Sequence, residues 1–161
     1  MSSATPRIRV ACEVNGRPVE AKVEPRAFLI DLLRDEFGLT SVKRSCDVQV
    51  CGACAVLLDG RPVSSCTLPA FEARGHSVLT AEGLADEPLG EALARAFAQH
   101  AAFQCGFCTP GLLLTAKALL DSAPAPTAEQ VSECLEGNLC RCTGYKKIVE
   151  AVLAAAGRSA V

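Results

Sequence analysis

Gln104-Cys105-Gly106-Phe107-Cys108-Thr109-Pro110-Gly111 and Gly137-Asn138-Leu139-Cys140-Arg141-Cys142-Thr143-Gly144-Tyr145 carry four cysteines as one CxxC and one CxC pair. Each pair lies just upstream of a segment that reads as a helix. Pro110 suits a first helical turn, where a missing N–H costs nothing. A second helix begins near Tyr145. Helix starts carry partial positive charge and unpaired N–H groups, which favour anions and thiolates. Two such starts converging on four sulfurs suit a bound anionic redox centre.

A second cysteine set lies earlier: Cys46-x4-Cys51-x2-Cys54, with Cys66 after eleven intervening residues. The x4, x2 spacing is that of plant-type ferredoxins, which hold a [2Fe–2S] cluster. Gly52 lets the backbone approach closely in a tight loop. Zinc also takes four thiolates with CxxC spacing, so a zinc-stabilised interaction module without redox function stands as the alternative. At the later set, CxxC alone also fits a thioredoxin-type pair, and the CxC pair favours four ligands. A c-type haem is excluded, because Ala55 and Thr109 stand where a histidine would follow. His76 and His100, the only histidines, lie outside both motifs.

The flanking sequence sets the architecture. Ile8, Val10, Cys12 and Val14 alternate with polar or small residues, Asn15-Gly16 is a turn signal, and a hairpin over 7–23 follows. Cys12 reads as a small core residue. Ala27–Phe37 reads as an amphipathic helix with Phe28, Leu29, Leu32, Leu33 and Phe37 on its buried stripe and Gly38 at its end. Strands are expected at Ala55–Leu58, Arg61–Ser65 and Ser77–Thr80. Helical spacing then runs through Leu89, Leu93 and Phe97; Leu112, Ala116 and Leu120; Val131, Cys134 and Leu135; and Ile148, Val152 and Ala155. Thr127-Ala128-Glu129-Gln130 is a capping box. Cys134 sits on an apolar stripe and reads as core. The expectation is an α+β chain: a mixed domain over 1–81, a linker over 82–88 and a four-helix bundle over 89–161.

Composition narrows the classes further. Hydrophobic residues make up 50%, charged residues 21% and the net charge is −2. No basic run marks a nucleic-acid footprint. No stretch reads as a secretory signal or a membrane span, which points to the cytoplasm. Ten cysteines there favour metal or cluster ligation over disulfides.

In order along the chain, Cys46–Cys54, Asp59–Cys66, Gln104–Gly111 and Gly137–Tyr145 resemble CDxxxCGAC, DGxxxxSC, QCGFCTPG and GNLCRCTGY. These are motifs of the small iron–sulfur subunit of molybdenum hydroxylases, the family of xanthine dehydrogenase, aldehyde oxidoreductase and aerobic carbon monoxide dehydrogenase. Gln49 and Ser45 stand where that pattern usually has glycine, without removing a ligand. The resemblance implies a ferredoxin-like β-grasp domain holding one [2Fe–2S] cluster on Cys46, Cys51, Cys54 and Cys66. A four-helix bundle would hold another on Cys105, Cys108, Cys140 and Cys142. It implies a large subunit with a molybdopterin cofactor, beside which Gln104 and Cys142 would lie, and a medium FAD subunit, in a heterotrimer that dimerises in some assemblies. The chain itself would relay single electrons from molybdopterin to flavin or another acceptor and carry no catalytic residue. A free-standing ferredoxin-like carrier is the third reading. The long helical half and Gln104 argue for a docked subunit instead.

Overall fold

In the computed structural model, which describes residues 6–157, strands β1 (Ile8–Val14) and β2 (Arg17–Val23) form the first hairpin. They pair antiparallel from Ile8↔Val23 to Val14↔Arg17, closed by Asn15 and Gly16, both at positive φ. β3 (Ala55–Leu58) and β4 (Arg61–Ser64) form the second. β5 (Ser77–Leu79) runs between them, parallel to β1 and antiparallel to β3. The mixed five-stranded order is β2-β1-β5-β3-β4. Val10, Cys12, Val14, Val56 and Val78 face one core, so Cys12 is the buried small residue its alternation predicts.

The helix against this sheet is shorter than expected. It starts at Leu29, continues as α1 (Leu29–Asp31) and widens into a π-helical turn over Leu32–Glu36. Phe28 does not join the buried stripe: it bridges to Pro69 as extended chain and is partly exposed. Its N–H bonds the Asp31 carboxylate at 2.9 Å, capping the helix one residue later. Leu29, Ile30, Leu32 and Leu33 fill the core.

Residues 82–88, expected as a linker, are built more firmly than that. The short α2 (Ala81–Leu84) precedes α3 (Pro88–Gln99), with Pro88 in its first turn. Leu84 is buried with Leu57 of β3 and with Leu114 of α4 (Thr109–Ser122). Glu82 accepts from the Ser41 N–H at 2.9 Å, from the Ser41 hydroxyl, and from Thr80 Oγ1 at 2.6 Å. Leu84 therefore fastens the sheet to the helices, and Glu82 ties the same stretch to the loop at Ser41.

α5 (Ala128–Leu135) opens on the expected capping box: Gln130 N–H to Thr127 Oγ1 at 3.3 Å, and Thr127 N–H to Gln130 Oε1 at 2.8 Å. α6 (Lys146–Ala155) completes the helices. α3 packs on α4 and α6, α5 on α4 and α6, and α4 also crosses β3. Leu93, Phe97, Leu112, Ala116, Val131, Leu135, Ile148 and Val152 form the second core. No helix among the described residues is long and apolar enough to cross a membrane. Met1–Thr5, read for a secretory signal, and the last four residues of the 89–161 assignment lie outside the described residues.

Candidate iron–sulfur sites

The loop before β3 wraps Cys46 and Cys51 around its outer face. Cys46 Sγ accepts the Val50 and Cys51 N–H groups, each at 3.4 Å. Backbone N–H groups of Val48, Val50 and Cys51 pull its thiol down to about 6. The loop achieves this by taking Asp47, Gln49 and Gly52 to positive φ. Gln49 therefore occupies a conformation that glycine adopts without strain, and its Oε1 accepts from Thr67 at 3.2 Å. Cys54 and Cys66 are buried beneath. Burial pushes the Cys66 thiol up to about 11, and the Cys54 side chain it bonds adds to the rise.

The helical half repeats the pattern of an outer and an inner pair. Cys105 and Cys142 are exposed, with sulfurs 3.7 Å apart. Cys108 and Cys140 are half-buried and bond one another. Burial pushes the Cys108 thiol up to about 12, with Cys140 reinforcing it. At Cys140 burial acts in the same direction but is outweighed by the Thr143 hydroxyl and the Thr143 and Cys142 N–H groups, so its thiol is lowered. At Cys142 the Cys105 thiol it bonds raises the value.

Eight of the ten cysteines therefore gather as two groups of four, each group as two pairs. Zinc needs four sulfurs about 2.3 Å from one centre. Two pairs side by side instead suit a two-iron centre, in which each iron takes two thiolates. N–H groups aimed at sulfur suit its negative charge. The donor sets fit [2Fe–2S] clusters.

The remaining candidates fall elsewhere. Gln104, expected beside a pterin, is exposed, and its Nε2 donates to the Cys142 carbonyl at 3.1 Å, tying the CxxC loop to the CxC loop. His76 pairs with Asp59 at 2.5 Å, and His100 lies 3.9 Å from Glu150. Cys134 is less deeply placed than its stripe predicts. It is half-buried, its Sγ donates to the Thr115 carbonyl at 3.8 Å, and burial raises its thiol. It lines a cavity of about 450 Å³ between the two halves, together with Gln49, Thr67 and Asn138.

Three residues that sequence reasoning passed over build the seam between the groups. Asn138 is 4% exposed, and its Nδ2 donates to the Gly52 carbonyl at 3.1 Å. The Tyr145 hydroxyl donates to the Asn138 carbonyl at 2.9 Å and accepts from the Cys140 N–H at 2.7 Å. Tyr145 itself sits at φ 68° to open α6. Thr143 Oγ1 lies 3.1 Å from Cys140 Sγ. Each stands inside a cysteine motif, which was the available signal. A Cβ on Gly52 would clash with Gly137 O and lie 2.6 Å from Asn138 Nδ2, and one on Gly111 would clash with Gly52 O.

Comparison with known proteins agrees with this geometry. Residues 12–85 match the model of a 2Fe-2S iron-sulfur cluster binding domain, and residues 80–153 match that of a [2Fe-2S] binding domain. The chain is 46% identical to the nicotinate dehydrogenase small FeS subunit of Eubacterium barkeri, covering 96% of this chain and 98% of that one. It is 49% identical to the nicotine 6-hydroxylase small subunit of Paenarthrobacter nicotinovorans, covering 97% and 94%. Among solved structures it is similar to a chain of quinoline 2-oxidoreductase from Pseudomonas putida 86, with TM-score 0.89, 45% identity and 94% of each chain covered. It is also similar to aldehyde oxidoreductase from Desulfovibrio gigas, with TM-score 0.86 and 40% identity, over 93% of this chain and 17% of that larger one. The chain belongs to the family of small iron–sulfur, electron-transferring subunits of molybdenum hydroxylase complexes, and it carries two [2Fe–2S]-binding domains.

Proposed function

We propose that Cys46, Cys51, Cys54 and Cys66 hold one [2Fe–2S] cluster and that Cys105, Cys108, Cys140 and Cys142 hold the other. When bound, the clusters supply one-electron redox capacity. The chain's own residues fix where that capacity sits. The observation that carries this reading is the direct bond between the sets: the Leu139 N–H donates to the Cys51 carbonyl at 2.9 Å. One hydrogen bond and a short run of backbone thus connect ligands of the two sites.

In this reading the N-terminal domain, over 1–81, is a β-grasp and the C-terminal domain, over 89–161, a four-helix bundle. Support comes from the sheet order and from the four mutually packed helices. The exposed outer pair Cys105 and Cys142, beside Gln104, faces the molybdopterin of a large subunit. The Cys46 loop faces a medium FAD subunit or another acceptor. The assembly is a cytoplasmic heterotrimer. Exposed Phe103, Phe107 and Leu139 around the first of these faces, and Val48 and Val50 on the second, suit burial against such partners. Substrate chemistry stays with the large subunit. The zinc-module reading gains no support from the paired sulfurs or from the relatives.

The test is metal analysis of the native complex. The chain should carry about four iron and about four acid-labile sulfides, two of each per cluster. Stoichiometric zinc without labile sulfide would overturn the reading.

A further inference from the structure

Each cysteine pair of the helical half is followed directly by a threonine, as Cys108-Thr109 and Cys142-Thr143. The Thr143 hydroxyl lies 3.1 Å from Cys140 Sγ. A ligating thiolate has no proton to give, so in the loaded protein this hydroxyl donates. Its oxygen already accepts the Tyr145 N–H at 3.4 Å, which leaves its proton directed at sulfur. Thr109 Oγ1 is buried and has no hydrogen-bond partner among the described residues. Gly106 O accepts the Thr109 N–H at 3.2 Å and Cys108 O accepts the Leu112 N–H at 3.1 Å, and neither pairs with this hydroxyl. A buried hydroxyl is rarely left unmatched. The sulfur of a centre bound at the adjoining Cys108 would match it.

We propose that Thr109 and Thr143 are a matched pair of positioning residues that donate O–H···S hydrogen bonds to the inner side of the second [2Fe–2S] cluster, around Cys108 and Cys140, and raise its reduction potential. The inference rests on the two-cluster reading above. A donor to sulfur stabilises the reduced centre more than the oxidised one, because reduction adds negative charge. Cys108 and Cys140 are half-buried, unlike the exposed Cys105 and Cys142, so water competes less with these hydroxyls.

The experiment is a redox titration of the native complex, followed by electron paramagnetic resonance, for wild type and for Thr109→Val and Thr143→Val. Each substitution keeps the branched shape and removes the hydroxyl. Each should shift one cluster's oxidised–reduced equilibrium about tenfold toward oxidised, ~59 mV more negative for a one-electron couple. The other cluster should stay put, and Thr109→Ser and Thr143→Ser should restore the wild-type potential. If Thr109→Val fails to load, Thr109→Ala takes its place in the same titration. A loaded Thr109 variant with an unshifted potential overturns the assignment. A wild-type complex without two [2Fe–2S] signals defeats the two-cluster reading itself, and the hydroxyl assignment with it.

Discussion

Leu139 and Cys51 are joined backbone to backbone, N–H to carbonyl at 2.9 Å, although they belong to opposite halves of the chain. Beside that bond the Asn138 amide reaches the Gly52 carbonyl, and Gly111 packs against the same carbonyl. The two cysteine loops therefore meet main chain on main chain, with the Asn138 amide as a bridging side chain.

That closeness makes the seam intolerant of change. Gly52→Ala adds a Cβ against Gly137 O at φ 67°. Strain at such a position is of order 1–3 kcal/mol before the clash is counted. Asn138→Ala removes one of two donors to the Gly52 carbonyl, which keeps the Ala55 N–H at 3.0 Å, at about 0.5–1.5 kcal/mol. At about 2–4 °C per kcal/mol for a domain of this size, thermal unfolding of the loaded chain should show both losses, Gly52→Ala the larger. An unchanged midpoint for Gly52→Ala would mean the halves are not packed as described.

Serine substitution separates the two sites. Cys51→Ser should abolish one [2Fe–2S] resonance and Cys105→Ser the other, each with loss of about half the iron. Cys12→Ala and Cys134→Ala should retain both resonances, because neither sulfur lies in a group of four. Loss of the same resonance in Cys51→Ser and Cys105→Ser would refute the division. Folding of the affected half should weaken with its cluster, since ligand binding and folding are coupled.

Glu82 gives the fold a pH dependence of known sign. Burial disfavours its carboxylate, but bonds from the Ser41 hydroxyl, Thr80 and the Ser41 N–H outweigh burial and hold its pKa below the ordinary value. A carboxyl depressed in the folded state stabilises above its unfolded pKa, about 4.3, and loses that stabilisation as pH falls through the folded value. Solvent screening of this part-exposed group keeps the effect to about 1 kcal/mol. At neutral pH, Glu82→Gln should therefore melt slightly below wild type, and the gap should close in acid. Comparing the two proteins at each pH cancels any acid sensitivity they share. A gap that persists undiminished at low pH would count against this role.

Much of the architecture was legible because its signals are local. Alternation along Ile8–Val14, the Asn15-Gly16 turn and the Thr127–Gln130 box each act within a few residues. The cysteine spacings were legible for the same reason. Phe28 misled because its apolar side chain fits the helical stripe, while a bridge to Pro69, distant in sequence, holds it extended. Residues 82–88 look like a linker until Leu84 is seen between Leu57 and Leu114. Asn138 and Tyr145 escaped notice because their roles depend on Gly52 and Cys140, which only the folded chain brings within reach.

The Tyr145 hydroxyl clasps the Cys140 N–H and the Asn138 carbonyl at once, and Asn138 in turn grips the other half. Transplanting either half into a hybrid protein would therefore require its counterpart's turn to travel with it. Recombination among relatives should respect residues 51–52 and 137–145 as one heritable block, even though most of the chain's length separates them.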